Sequence, residues 1–85
     1  MVVEPDIIVR HTISEYLRGC GYQVIEGVSA DEAKTVLASR NRVDVIFAEV
    51  QIGDRMDGFE LAKWVRERHP RVAVILTSGS QRACE

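Results

Sequence analysis

Val43-Asp44-Val45-Ile46-Phe47-Ala48-Glu49-Val50-Gln51-Ile52-Gly53-Asp54-Arg55-Met56-Asp57-Gly58 is the stretch that decides how this chain folds. It opens as a short apolar run headed by one acid and reaches a carboxylate at Glu49. It then turns through Gly53-Asp54-Arg55 and enters a helix at Asp57-Gly58. A run that apolar and that short, between turn signals, reads as a strand over Val43–Val50 buried on both faces of a parallel sheet. In open parallel sheets chemistry gathers outside the carboxyl ends of the strands. Glu49 stands at such an end.

Upstream, Met1-Val2-Val3 reads as a strand fragment, followed at once by Glu4-Pro5-Asp6. Asp6 is a good N-cap for a helix over Ile7–Cys20. Ile8 or Val9, Ile13, Tyr16, Leu17 and Cys20 recur at helical spacing, with Arg10, Ser14, Glu15 and Arg18 on the other face. Gly19 and Gly21 bracket the stop. Tyr22–Glu26 reads as a short strand. Ser29 and Glu32 form a capping box for a second helix running to about Ser39, with Ala33, Val36 and Leu37 inward. Downstream, a third helix covers about Gly58 to Arg68. Asp57 caps it, Phe59, Leu61, Ala62 and Val65 are candidates for its buried side, and Trp64 lies at the edge of that stripe. His69-Pro70 ends it. Val72–Thr77 is a fourth, nearly all-apolar strand.

The order β-α-β-α-β-α-β at this spacing implies right-handed crossovers and a parallel sheet with helices on both faces. Three helices cannot cover two faces evenly, so one face is expected to be thinly covered. The fourth strand reads as an interior strand with nothing after it to pair with, a long apolar edge open to another chain.

Composition bounds the rest. The 85 residues are 46% hydrophobic and 28% charged, which is ordinary for one small globular domain, 1–85. The net charge of −2 gives no nucleic-acid footprint, and no apolar stretch is long enough to span a membrane. With no signal-peptide pattern at the N-terminus, a cytoplasmic location is expected. Cys20 and Cys84 match no metal or redox spacing. His11 and His69 read as surface residues on helices, and Lys63 with Arg66-Glu67-Arg68 as a solvated face.

Together, VVEPD before a helix, GYQVIEGVSADEA, VDVIFAEVQIGDRMDGFELAKWVRERHP and VAVILTSGS resemble the receiver domain of two-component response regulators, across essentially the whole chain. The resemblance implies a flavodoxin-like α/β fold of βα units with strand order 2-1-3-4-5. Here it would be truncated to four strands and three helices in order 2-1-3-4, the final βα unit missing. It also implies an aspartate at the end of the third strand that takes a phosphoryl group from a histidine kinase, assisted by Mg²⁺. The physical need is plain: a carboxylate approaching a phosphoryl group requires a cation to offset the repulsion, and Mg²⁺ takes oxygen ligands in tight octahedral geometry.

Carried over by position, the match is incomplete. Glu49 occupies the phosphoacceptor position. Glu4 matches the first acid of the metal pair, and Pro5 stands where the second should be. Asp6 falls one place late and serves better as a helix cap. Gln51 would offer a backbone carbonyl to a metal, and Thr77 matches the switch hydroxyl. The lysine after a fifth strand and the usual proline after the acceptor have no counterpart. Glutamate carries its carboxylate one methylene farther out, and in-line transfer tolerates little misplacement. The expectation is therefore a non-enzymatic, phosphorylation-independent receiver with no cofactor, or Mg²⁺ at most weakly through Glu4, Glu49 and the Gln51 carbonyl. It would act on a protein partner, a histidine kinase or a downstream signalling protein, or on itself as a homodimer through the fourth-strand edge. Glu49 could stand in for phosphoaspartate or be inert. The alternatives are a competent phosphoacceptor at Glu49 or Asp54, and a fragment of a larger response regulator.

Overall fold

A computed structural model describes residues 1–39, 41–51 and 57–77. The elements alternate: β1 (Val2–Val3), α1 (Ile7–Gly19), β2 (Glu26–Gly27), α2 (Ala30–Ala38), β3 (Val45–Glu49), α3 (Gly58–Arg68) and β4 (Ala73–Thr77). The four strands form one parallel sheet in the order β2-β1-β3-β4. That is the expected order. The chain moves outward from β1 to β2, then crosses back over β1 to reach β3. Right-handed crossovers therefore put α1 on one face and α2 with α3 on the other.

The α2/α3 face holds the core. Val3, Ile46 and Ala48 from the sheet meet Ala30, Ala33 and Leu37 of α2 and Leu61 and Val65 of α3, all buried. Met1, Val74, Leu76 and Trp64 pack around them. The other face is enclosed at Val2 and Ser14, where α1 lies over β1, and open over β3 and β4. Val45 is 40% and Ile75 50% exposed there. Beside α1 runs a cavity of about 690 Å³ whose lining includes Leu17, Val24, Val43, Phe47 and Ile75. The expectation that β3 is buried on both faces is thus corrected: its residues alternate between buried and partly exposed, because only one layer has two helices over it.

The helix ends follow their chemistry. The Ile8 and Val9 amides donate to Asp6 Oδ1 at 2.9 and 3.1 Å. At the far end of α1 Cys20 is the C-cap, and Gly21 follows at φ +99°. The Gly21 amide donates to the Arg18 carbonyl and the Tyr22 amide to the Leu17 carbonyl, a Schellman closure that needs a residue tolerant of positive φ. At α2 the Glu32 amide donates to Ser29 Oγ, but Glu32 Oε1 reaches past Ser29 to the Val28 amide, so the expected box is closed one residue early. The complete capping box belongs to α3, between Asp57 and Glu60.

Other sequence expectations are corrected by packing. The first helix ends at Gly19, and the second strand is confined to Glu26–Gly27, since β1 offers only Val2 and Val3 to pair with. On α1, Ser14 is the buried residue, Ile13 and Leu17 are half-buried, and Ile8, Val9, Tyr16 and Cys20 are exposed. Arg10 also turns inward, drawn by acceptors at the sheet edge. Phe59 is 62% exposed: at the second position of α3 it faces away from the sheet that Leu61 and Val65 cover. His69 is half-buried at the C-cap of α3, held against Trp64 with ring centroids 5.5 Å apart.

Candidate functional site at the carboxyl edge of the sheet

Strand order reverses between β1 and β3, and the crevice outside their carboxyl ends is where such sheets bind ligands. Val3 pairs with Ala48, so Glu4 leaves β1 at the level of Glu49. Glu49 in turn pairs with Thr77 across β3 and β4. The sheet thus brings the three positions to one level: Glu4 half-buried after β1, Glu49 half-buried at the end of β3, and Thr77 half-buried at the end of β4.

The carboxylates at this edge are engaged by nearby backbone. Glu4 Oε2 accepts the Asp6 amide at 2.8 Å, which folds its side chain over the exposed Pro5. Asp6 Oδ1 is occupied by α1 amides, as its reading as a helix cap requires. Glu49 Oε1 accepts the amide of Val50 at 3.1 Å. Gln51 is exposed after the strand, and Asp54 lies outside the described residues. Among the described residues no group of three or more His, Cys, Asp or Glu side chains is arranged to hold a metal ion. Pro5 brings no ligand, and the Glu4 carboxylate serves a turn. The residues present at the end of β1 do not fit the acid pair a Mg²⁺ site needs.

Two neighbours of this edge had no separate signal in the sequence. Gly58 opens α3 against the end of β3: its amide donates to the Val50 carbonyl. A Cβ there would lie 2.7 Å from the Glu49 carbonyl oxygen and 2.8 Å from Val50 Cα, both backbone atoms. Only glycine allows this approach, so Gly58 sets where Glu49 sits. On the β1/β2 side, Arg10 Nη1 donates to the Glu4 carbonyl at 2.9 Å and its Nε to Glu26 Oε1 at 3.2 Å. Arg18 bonds the other Glu26 oxygen at 3.1 Å and Glu15 at 2.9 Å, and these carboxylates raise its already high pKa. Glu26 therefore ties α1 to the sheet through two guanidinium groups.

A doubly wound parallel sheet with a carboxylate at its switch point and a hydroxyl beside it defines a flavodoxin-like α/β domain. The chain matches the family model of the response regulator receiver domain over residues 1–84, and it belongs to that family. It is 35% identical over 77 residues to the nitrogen assimilation regulatory protein NtrX of Azorhizobium caulinodans, a match covering 89% of this chain and 16% of that protein. It is 26% identical over 82 residues to the transcriptional regulatory protein PdtaR of Mycobacterium tuberculosis, covering 96% of this chain and 40% of that one. The chain thus spans well under half the length of these relatives. Among solved structures, a mutant of the MaeR response regulator bound to sulfate superposes with a TM-score of 0.81 at 24% identity, over 95% of this chain and 66% of that one. That likeness concerns the fold. No helix among the described residues is long and apolar enough to cross a membrane.

Proposed function

We propose that this receiver domain signals through protein contacts without accepting a phosphoryl group. The observation that carries this reading is the use of the Glu4 carboxylate, which accepts the Asp6 amide next to a proline where a second acid would have to stand. With one acid committed to a turn and the other absent, no divalent cation offsets the repulsion between Glu49 and an incoming phosphoryl group. The extra methylene of Glu49 further displaces the nucleophile. Mg²⁺ is accordingly not a cofactor of this chain. Incubation with a small phosphodonor and Mg²⁺, followed by intact-mass analysis, tests the reading. The expected result is an unmodified mass from folded protein. An adduct on Glu49 or Asp54 would establish the competent phosphoacceptor instead.

The contact itself is with a kinase or another signalling protein, or with a second copy. The outer side of β4 favours the latter. Ala73 donates to the Asp44 carbonyl, and Thr77 accepts from Val50. By alternation the backbone groups of Val74 and Leu76 point away from β3, and among the described residues no strand pairs with them. Light scattering at high concentration should show a dimer. A clean monomer would remove self-pairing and leave the partner protein.

A further inference from the structure

Trp64, the only tryptophan of the chain, is held between helices by cations. Lys34 Nζ of α2 lies 5.2 Å from its ring centroid and the Arg68 guanidinium of α3 lies 5.3 Å from it. His69 tilts against the same ring at 5.5 Å. The ring is half-buried and packs on the core, so its position is fixed.

Long cationic side chains on a surface are normally disordered, and a partner that binds them loses affinity to the ordering. Here one indole orders two of them from different helices, each within cation–π reach. Their charges are not cancelled. Among the described residues Lys34 has no carboxylate within ion-pair distance, and Arg68 has only Glu67 at 3.9 Å between exposed side chains. On α2 the first turn before Lys34 is acidic, with Asp31 and Glu32, whereas the end of α3 carries the same sign as the cluster. Between Lys63 and Arg71 stand Lys63, Arg66, Arg68 and Arg71 against the single acid Glu67, in a chain of net charge −2. From Gly58, which abuts the Glu49 edge, Trp64 lies about 9 Å and Arg68 about 15 Å along α3.

We infer that Lys34, Trp64, Arg68 and His69 form a docking surface for an acidic, Asp/Glu-rich segment of a partner protein. Carboxylates of such a segment would meet cations already held in place, and the indole edge would cover its aliphatic stems. A nucleic acid would need a longer basic track, and Glu67 and the acidic remainder of the chain interrupt one. The surface is independent of the phosphorylation reading, because it uses none of the same residues.

Titration with decaglutamate at low ionic strength, followed by Trp64 fluorescence, tests it. The expected result is saturable binding that weakens with salt. Lys34→Gln with Arg68→Gln should lower the affinity about tenfold or more, while the same loss of charge at Lys63→Gln with Arg66→Gln should lower it less than about threefold. Lys34→Arg keeps the cation over the ring and should keep binding, which separates a docking role from loss of fold. Equal effects of the two double variants would reduce the surface to general charge and overturn the inference. So would tighter binding of oligouridylate than of decaglutamate, or no saturable binding at all.

Discussion

The two faces of the sheet are built from strands that read alike, yet they are different objects. On the α2/α3 face Ile46, Ala48, Leu61 and Val65 are completely enclosed. On the α1 face Val45 and Ile75 are largely open, and a cavity runs beside the helix. Along β3 the enclosed Ile46 and Ala48 alternate with the more exposed Val45 and Phe47, and along β4 the half-buried Val74 and Leu76 flank the exposed Ile75. What separates them is the number of helices laid over each side. Burial in this domain is therefore decided by connectivity, and stability should be concentrated on one face.

The largest effects test that division directly. Leu61→Ala on the closed face should cost about 2–5 kcal/mol, since the enclosed site collapses only partly around the cavity. Ile75→Ala on the open face deletes a comparable amount of side chain and should cost less than about 1 kcal/mol, because half of that residue is already in water. Urea unfolding of both variants measures the contrast. Similar losses would mean that the open face is covered in solution, as a dimer or a bound partner would cover it.

Gly58→Ala comes next, at about 1–3 kcal/mol of destabilisation. The added methyl would press on backbone of Glu49 and Val50 rather than on movable side chains, so neither α3 nor the end of β3 can yield cheaply. This outweighs the gain of about 1 kcal/mol that alanine brings over glycine in a helix. Backbone amide shifts at Glu49 and Val50 in an NMR spectrum should accompany it. Shifts confined to α3 would show that the junction is more compliant than its geometry indicates.

Most of the fold was legible from the alternation of short apolar runs and capped helices, because periodicity and capping are local. The positions of Glu4, Glu49 and Thr77 at strand ends were legible for the same reason. The facing of α1 was not. Ser14 looks polar and Tyr16 apolar, yet Ser14 is buried and Tyr16 exposed, since the sheet accepts a small residue where helix and strands come close. Arg10 turned inward for acceptors that no spacing rule places beside it. The engagement of the Glu4 carboxylate and the Lys34–Trp64–Arg68 cluster likewise depend on contacts between residues far apart in sequence or on side-chain rotation about a fixed backbone.

Arg10 supplies a smaller effect on the open face. Its side chain is 12% exposed and depends on Glu26 for its carboxylate partner. Glu26→Gln should cost about 1–2 kcal/mol, the penalty of leaving a largely buried guanidinium with a weaker acceptor. Arg10→Met in the same background should recover part of that loss, because the unpaired charge is gone. A double-mutant cycle by thermal unfolding reads the coupling. Strict additivity would show that the pair contributes nothing beyond its separate residues.

Ser14→Ala is expected to be the smallest change, and it has the opposite sign. The Ser14 side chain is fully buried on α1, and among the described residues its hydroxyl has no hydrogen-bond partner. An unsatisfied buried hydroxyl costs about 1–3 kcal/mol, and serine is a poorer helix former than alanine by a few tenths, about 0.5 kcal/mol. Against this stands only the small volume lost with one oxygen. The net expectation is a stabilisation of about 1 kcal/mol, seen as a higher urea midpoint at unchanged slope. A larger residue reverses the sign. Ser14→Val and Ala33→Val should each cost about 1–3 kcal/mol, because both positions are fully enclosed and the added volume meets packed neighbours. If Ser14→Ala destabilises instead, the hydroxyl is satisfied in solution. Its partner would then be the Arg10 carbonyl one turn back, which a helical serine reaches by rotating its side chain, or a water.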